Sequence, residues 1–115
     1  MLILLGDFNA GPNVSQVNYD QIINDGFLDT FSLGCENTDL CKKVTWDPNN
    51  SLNAGGAFTD SPPQRIDHIF ISSRSSTNIG IESSSIVFEE LSVCVGDENI
   101  TISDHYGLRT KIRFQ

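Results

Sequence analysis

The apolar run Met1–Leu5 limits the folds open to this chain more than any other feature of the sequence. Consecutive apolar residues that end at a glycine, here Gly6, are typical of a strand buried on both faces of a sheet. A helix is predicted next, from about Val14 to Asp25, with Asn13 as its N-cap and Gly26 at its end. One helix covers only part of one sheet face, so another layer is needed to cover the second face.

Further strands are predicted from alternation and β-branched content. Arg65–Ser72 and Gly107–Phe114 alternate with the period of two expected of a strand with one buried face. Ile79–Glu89 contains another strand, centred on Ile86–Phe88, and Phe27–Phe31 is a short strand or a turn. The pattern predicts an α/β chain with one helix and about five strands.

Residues 34–64 form a long polar segment rich in Asn, Gly and Pro, in which only Lys43–Trp46 has strand character. A loop this long in a compact domain is usually functional or mobile. Ser73–Ser85 is predicted as a serine-rich loop or hairpin arm. Cys35 and Cys41 can form a disulfide in an oxidising compartment, although three cysteines fit no closed disulfide framework.

Composition narrows the possible functions. The chain has 115 residues, a formal net charge of −8 and a pI near 4.4, and its length predicts one domain. The acidic balance excludes a nucleic-acid binder that relies on bulk positive charge. No apolar run approaches the ~20 residues that span a bilayer, and Met1–Leu5 lacks the flanks of a signal peptide. We therefore expect a soluble chain without a transmembrane segment, in a compartment that these features leave open.

Three polar clusters lie beside predicted strands, and the first follows Met1–Leu5 directly. In Gly6-Asp7-Phe8-Asn9, the carboxylate and the amide stand two residues apart and point the same way from an extended segment. Asp7 and Asn9 can then present an acceptor and a donor to one phosphate or to its attacking water. An Asx-turn that only caps the loop is the plain structural alternative.

The other two clusters each contain an Asp-His pair. Asp67 lies within a strand between apolar neighbours, so its carboxylate needs a partner, and a histidine is the natural one. His68 points to the opposite face and is predicted to be a packing or surface histidine. In Ser103-Asp104-His105, His105 lies just before the last strand, where loops carry function, and Asp104 can coordinate a hard cation through oxygen.

In their order along the chain, GDFN, RID and SDH resemble the motifs of the endonuclease/exonuclease/phosphatase superfamily, which has the DNase I-like fold. The resemblance covers the whole chain but corresponds to the C-terminal half of the family domain. It implies half of a four-layer α/β/β/α sandwich, with about five mostly antiparallel strands in one sheet and one main helix. It also implies hydrolysis of phosphodiesters or phosphomonoesters with Mg²⁺ or Mn²⁺.

The same resemblance implies a role for each residue of the three clusters. Asp7 would hold the metal and orient or deprotonate the attacking water, and Asn9 would donate to the phosphoryl oxygen. His105 would contact the scissile phosphate as proton donor or charge stabiliser, with Asp67 holding its tautomer. Asp104 would help position the metal or its water. How proton removal is divided between Asp7 and His105 stays open.

Within the superfamily, Thr45–Pro48 followed by Pro63–Asp67 looks most like the branch that includes neutral sphingomyelinases. This implies a lipid headgroup or another small phosphodiester as substrate, bound by Asn9, Trp46 and Arg65. The low basic content agrees, because duplex DNA requires many phosphate contacts. Trp46 is equally compatible with a core position under the long loop, and a DNase I-like endonuclease is the alternative function.

The family's N-terminal half normally supplies an Asn and a Glu that hold the metal, and another His. This chain has two histidines, both assigned above, and none of its five glutamates stands in a matching context. We therefore expect a C-terminal half, residues 1–115, with weak metal binding and poor turnover. The missing half or self-association would cover its bare sheet face. A third hypothesis is a non-catalytic interaction module.

Overall fold

The structure is a computed structural model that describes residues 1–114, apart from the side chains of residues 75–77. Within this range the chain forms short strands and few helices, and this mixed α/β architecture agrees with the predicted fold class. The strands are β1 (Ile3–Asp7), β2 (Phe27–Asp29), β3 (Asp67–Ser72), β4 (Ile79–Val87), β5 (Val93–Val95), β6 (Glu98–Ile100) and β7 (Gly107–Phe114). The helices are α1 (Gln16–Asn24), α2 (Thr30–Gly34), α3 (Thr38–Cys41) and a 3₁₀ helix (Ser73–Asn78).

The described strands form three antiparallel sheets rather than the single sheet of about five strands that was predicted. In the first sheet β3 lies between β1 and β2, while β4 pairs with β7 and β5 pairs with β6. Side chains link the first two sheets, because the Thr30 hydroxyl donates to the Ile69 carbonyl and shares a hydrogen bond with Thr110, both at 2.8 Å. The prediction was wrong here because alternation shows which residues face the core but not which strands pair.

Strand β1 is less buried than the run Met1–Leu5 predicted. It is an edge strand of its sheet, paired on one side with β3, and Leu5 is 72% exposed. Ile3 and Leu4 are half-buried, and Met1 and Leu2 are exposed. The prediction of burial on both faces therefore does not hold for this chain, because burial depends on neighbouring layers that a strand's own sequence cannot supply.

Helix α1 confirms the predicted helix with shifted ends. Residues 11–14 form a small turn, in which Gly11 and Val14 exchange main-chain hydrogen bonds, so the helix begins two residues later than predicted. Ser15, not Asn13, occupies the N-cap position, and its side chain makes no capping bond. Gly26 does end the helix, with φ 88° and its N–H donating to Ile23, a conformation that favours glycine.

The region between β2 and β3 holds more structure than the sequence predicted. Asp29 caps α2 by accepting from the Phe31 N–H, and a Cys35–Cys41 disulfide encloses α3. Lys43–Trp46 is not a full strand, but Trp46 forms isolated antiparallel bridges with Gln64 and with His105. Residues 73–85, predicted as a loop or hairpin arm, contain the 3₁₀ helix and most of β4, which is an arm of the antiparallel pair with β7.

The core lies where β3 packs against α2, and Phe31, Phe70 and Ile71 are almost fully buried there. Several buried residues are polar, including His68, Thr30 and Thr45. None of the helices in the described part of the chain has the length and apolar character needed to cross a membrane.

Candidate functional site

Antiparallel pairing of β1 with β3 places two carboxylates opposite each other. Asp7 ends β1, Asp67 begins β3, and the two residues are direct partners in the register. Gly6 precedes them with φ 145°, a conformation that residues with a Cβ adopt rarely. One ligand atom each from Asp7, Asp67 and His105 lies within 4.8 Å of the others.

His105 reaches this pair from the segment before β7. Its Nδ1 lies 2.8 Å from Oδ2 of Asp67, so the carboxylate accepts the Nδ1 proton and Nε2 is the nitrogen left for other partners. Both side chains are partly buried, with 27% of His105 and 21% of Asp67 exposed. Burial disfavours the charged ring, but the hydrogen bond to Asp67 and the carboxylates of Asp67, Asp104 and Asp7 outweigh it and raise the pKa of His105. The ring therefore holds a proton more readily than an unperturbed histidine does.

Asn9 both forms an Asx-turn and lines the candidate site, so the two interpretations of its sequence hold together. Its main-chain N–H donates to Oδ1 of Asp7 at 2.8 Å, which is an Asx-turn, and its φ is 49°. Its side chain is exposed and lines the cleft beside His105. The turn therefore directs Asn9 into the candidate site rather than excluding it.

Asp104 lies beside this group but is not among its three close ligand atoms. It is exposed, and its Oδ1 accepts a 3.3 Å hydrogen bond from the Ser103 hydroxyl. That hydroxyl also accepts the His105 N–H at 3.2 Å, which orders the turn before β7. The structure gives Asp104 an electrostatic effect on His105, whereas a place among the metal ligands stays a prediction.

A cleft of about 450 Å³ opens beside His105. Trp46, Leu52 and Phe58 provide apolar wall, while Asn9, Asp104 and His105 provide polar groups. Trp46 is half-buried and faces this cleft, so it is not a fully buried core residue. No Lys or Arg is among the described residues that line it. The cleft therefore offers apolar surface and hydrogen bonds rather than positive charge.

Arg65, predicted to bind substrate, has a buried side chain that pairs with other groups inside the fold. Its Nη1 lies 2.8 Å from Asp29 Oδ2 and 2.9 Å from His68 Nδ1, and its guanidinium lies over the Phe31 ring. Its side chain is 9% exposed, and it is not among the residues lining the cleft. The structure therefore does not bring Arg65 to the Asp7–Asp67–His105 group, because a buried carboxylate holds it elsewhere.

His68 is a packing histidine, as predicted. It is 1% exposed, and its Nε2 lies 2.7 Å from the carbonyl oxygen of Ala10. Burial is the main reason that its pKa is lowered, so the ring is neutral at physiological pH.

Two residues near the site received no role from the sequence. Thr45 is fully buried between the segments that carry Asp67 and His105, and Asn53 donates to the carbonyl oxygens of Asp47 and Asp104. Thr45 does stand next to Trp46 in the stretch that suggested a branch of the superfamily. Nothing in the local pattern marks Asn53 among the chain's many asparagines.

Comparisons with known proteins match the chain to one protein family. A model of the Endonuclease/Exonuclease/phosphatase family matches residues 1–105. The chain is similar to the solved structure of an endonuclease/exonuclease/phosphatase family protein from Leptotrichia buccalis C-1013-b, with 26% identity and a TM-score of 0.62. The similarity covers 97% of this chain and 34% of that one, so the chain spans about a third of that protein's length. A search of curated proteins found no match.

Proposed function

The chain belongs to the endonuclease/exonuclease/phosphatase family, and we propose that it carries catalytic groups of a phosphodiester hydrolase that requires Mg²⁺ or Mn²⁺. The observation that carries this proposal is the convergence of Asp7, Asp67 and His105 within 4.8 Å at one end of the β1–β3 pair.

The donor set suits a hard divalent cation. Asp7 and Asp67 offer carboxylate oxygens, which are the ligands that Mg²⁺ and Mn²⁺ prefer. An octahedral cation has about six ligands, so these residues would fill only part of its sphere. The remaining ligands would be water, substrate oxygens and side chains outside this group. We propose Asp104 as one of these side chains. A bound cation would neutralise charge on the phosphoryl oxygens and lower the pKa of a bound water.

The protein's own groups supply the remaining chemistry. Asp7 orients or deprotonates the attacking water, and the Asn9 amide donates to a phosphoryl oxygen as negative charge develops there. His105, with its raised pKa, contacts the scissile phosphate as proton donor or charge stabiliser. Asp67 accepts the Nδ1 proton of His105, which keeps Nε2 directed at the substrate. Each donor aimed at the developing charge is worth about 10²–10³ in rate.

The cleft supports a small or lipid-derived phosphodiester, such as a sphingomyelin headgroup, over duplex DNA. Its described lining holds apolar side chains and no basic ones, and the chain's net charge is −8. Duplex DNA binding draws most of its affinity from contacts between basic residues and phosphates. Hydrolysis of plasmid DNA with a steep loss of rate at high salt would favour the alternative, a DNase I-like endonuclease.

We also propose that residues 1–115 form the C-terminal half of a larger catalytic domain. On β1, Ile3, Leu5 and Asp7 point to one face, and Leu5 is 72% exposed beside Ile69 of β3. An apolar face that leads to the catalytic carboxylate suits a second sheet that contributes further ligands. Self-association would cover the same face, and sedimentation of a monomer at high protein concentration would count against it.

Hydrolysis of bis(p-nitrophenyl) phosphate by the purified chain, with and without Mn²⁺, tests the proposed function. We expect slow, Mn²⁺-dependent turnover, which His105→Ala reduces by about 10²-fold or more. Asp67→Asn should also reduce it, whereas Asp39→Asn, which alters an almost fully exposed carboxylate, should leave it unchanged. Turnover that survives in His105→Ala would contradict the assignment. Full family-level activity from this chain alone with Mg²⁺, lost in His105→Ala, would contradict the half-domain proposal instead.

A further inference from the structure

Thr45 is a buried residue that forms hydrogen bonds with both of the segments that carry Asp67 and His105. Its side chain is fully buried, with 0% exposed. Its hydroxyl oxygen accepts from two consecutive main-chain N–H groups, those of Ile66 and Asp67, each at 3.1 Å. One side-chain atom thereby fixes the peptide from which the Asp67 carboxylate projects.

The main chain of the same residue holds the other segment. The Thr45 carbonyl accepts from the Tyr106 N–H at 2.6 Å, one residue after His105, and the Thr45 N–H donates to the Gln64 carbonyl at 3.0 Å. Trp46 continues this arrangement, because it pairs with Gln64 on one side and with His105 on the other. Thr45 and Trp46 therefore form a two-residue spacer between the start of β3 and the start of β7.

The Asp67–His105 contact depends on that spacing. The two residues are 38 positions apart in the sequence, yet Nδ1 and Oδ2 must stay 2.8 Å apart for the carboxylate to fix the tautomer. We propose that Thr45 is a positioning residue that sets the distance and direction between Asp67 and His105. This inference rests on the proposed function only in taking that pair as the working pair of the site.

The hydroxyl is the part of Thr45 that this role requires. Valine has nearly the same shape but cannot accept a hydrogen bond, so Thr45→Val leaves the N–H groups of Ile66 and Asp67 without this acceptor. Thr45→Ser keeps the oxygen. Thr30 provides a matched control, because it is also fully buried and its hydroxyl also joins two segments, through Ile69 and Thr110.

The test is proton NMR of the metal-free full chain, whose two histidines can be assigned separately. The Nδ1 proton of His105, held by Asp67, should give a low-field signal in the wild type. In Thr45→Val this proton should exchange with water at least about tenfold faster, because two buried main-chain N–H groups lose their hydroxyl acceptor. Thr45→Ser and Thr30→Val should keep the wild-type rate, although Thr30→Val lowers the melting temperature.

A folded Thr45→Val protein with the wild-type exchange rate would overturn the proposal, as would an equal acceleration in Thr30→Val. A second measurement needs no variant: the amide protons of Ile66 and Asp67 should be protected in the wild type, and unprotected exchange would also overturn it. Because these experiments contain no metal, their failure is distinct from a failure of Mn²⁺-dependent hydrolysis.

Discussion

Replacing Arg65 with alanine is expected to destabilise the fold severely. This result would show that Arg65 has a structural role, whereas its motif predicted a role in substrate binding. In the structure the guanidinium pairs with Asp29, and the two side chains are 9% and 2% exposed. Removal of one partner leaves a carboxylate buried without its countercharge.

The size of the effect follows from the contacts of Asp29. Its carboxylate accepts from Tyr19 Oη at 2.7 Å, Arg65 Nη1 at 2.8 Å, Phe31 N at 3.0 Å and Ser32 Oγ at 3.0 Å. Breaking a buried ion pair by removing one partner costs about 3–5 kcal/mol. A domain of this size is stable by about 5–15 kcal/mol, so the loss is a large share of the total.

Urea unfolding, followed by the fluorescence of the single tryptophan, measures this cost. Arg65→Ala should lower the free energy of unfolding by about 3–5 kcal/mol. Arg109→Ala, on the exposed side of β7, should change it by less than about 0.5 kcal/mol. Asp29→Asn combined with Arg65→Met should be less destabilised than the sum of the single variants. An Arg65→Ala protein with the wild-type stability would refute this reasoning.

Acidification should weaken the fold mainly below about pH 4. The pKa of Asp29 is lowered despite burial, by the neighbouring guanidinium and hydrogen bonds, so its contribution is lost as the pH falls below about 4. Near pH 6.5 the lowered pKa of His68 and the raised pKa of His105 act in opposite directions, so the loss due to His68 should stand out in His105→Ala. Urea midpoints that stay constant from pH 5 to pH 3 would contradict the shift of Asp29. Reduction of the Cys35–Cys41 disulfide should cost about 2 kcal/mol through the entropy of a short loop, and an unchanged midpoint in reducing buffer would argue against it. Gly34→Ala should cost about 1–3 kcal/mol, because its Cβ would lie 2.6 Å from a methyl group of Ile81, and an unchanged melting temperature would show that α2 can shift.

Local patterns predicted the elements that position the site. Alternation in Gly107–Phe114 and in Arg65–Ser72 identified β7 and β3, and Gly26 identified the end of α1. The sequence also predicted that the Asp67 carboxylate needs a partner other than His68, and the resemblance to the family implied His105. The structure brings His105 to that carboxylate.

The features that depend on partners distant in the sequence could not be predicted from local patterns. Arg65 stands in a motif beside Asp67, but its partner Asp29 is 36 positions earlier, and no local pattern couples the two. The exposure of Leu5 depends on whether another layer covers β1, which an apolar run cannot specify. The three-residue strands β5 and β6 are too short for alternation to reveal.

A Mn²⁺ titration followed by proton NMR of the two histidine rings tests the central claim most directly, because paramagnetic broadening reports distance from the ion. The account predicts that Mn²⁺ broadens the ring protons of His105 well before those of buried His68, and that Asp7→Asn abolishes this selectivity. Equal broadening of both rings, or selective broadening that persists in Asp7→Asn, would contradict a cation site at the Asp7 and Asp67 carboxylates beside His105.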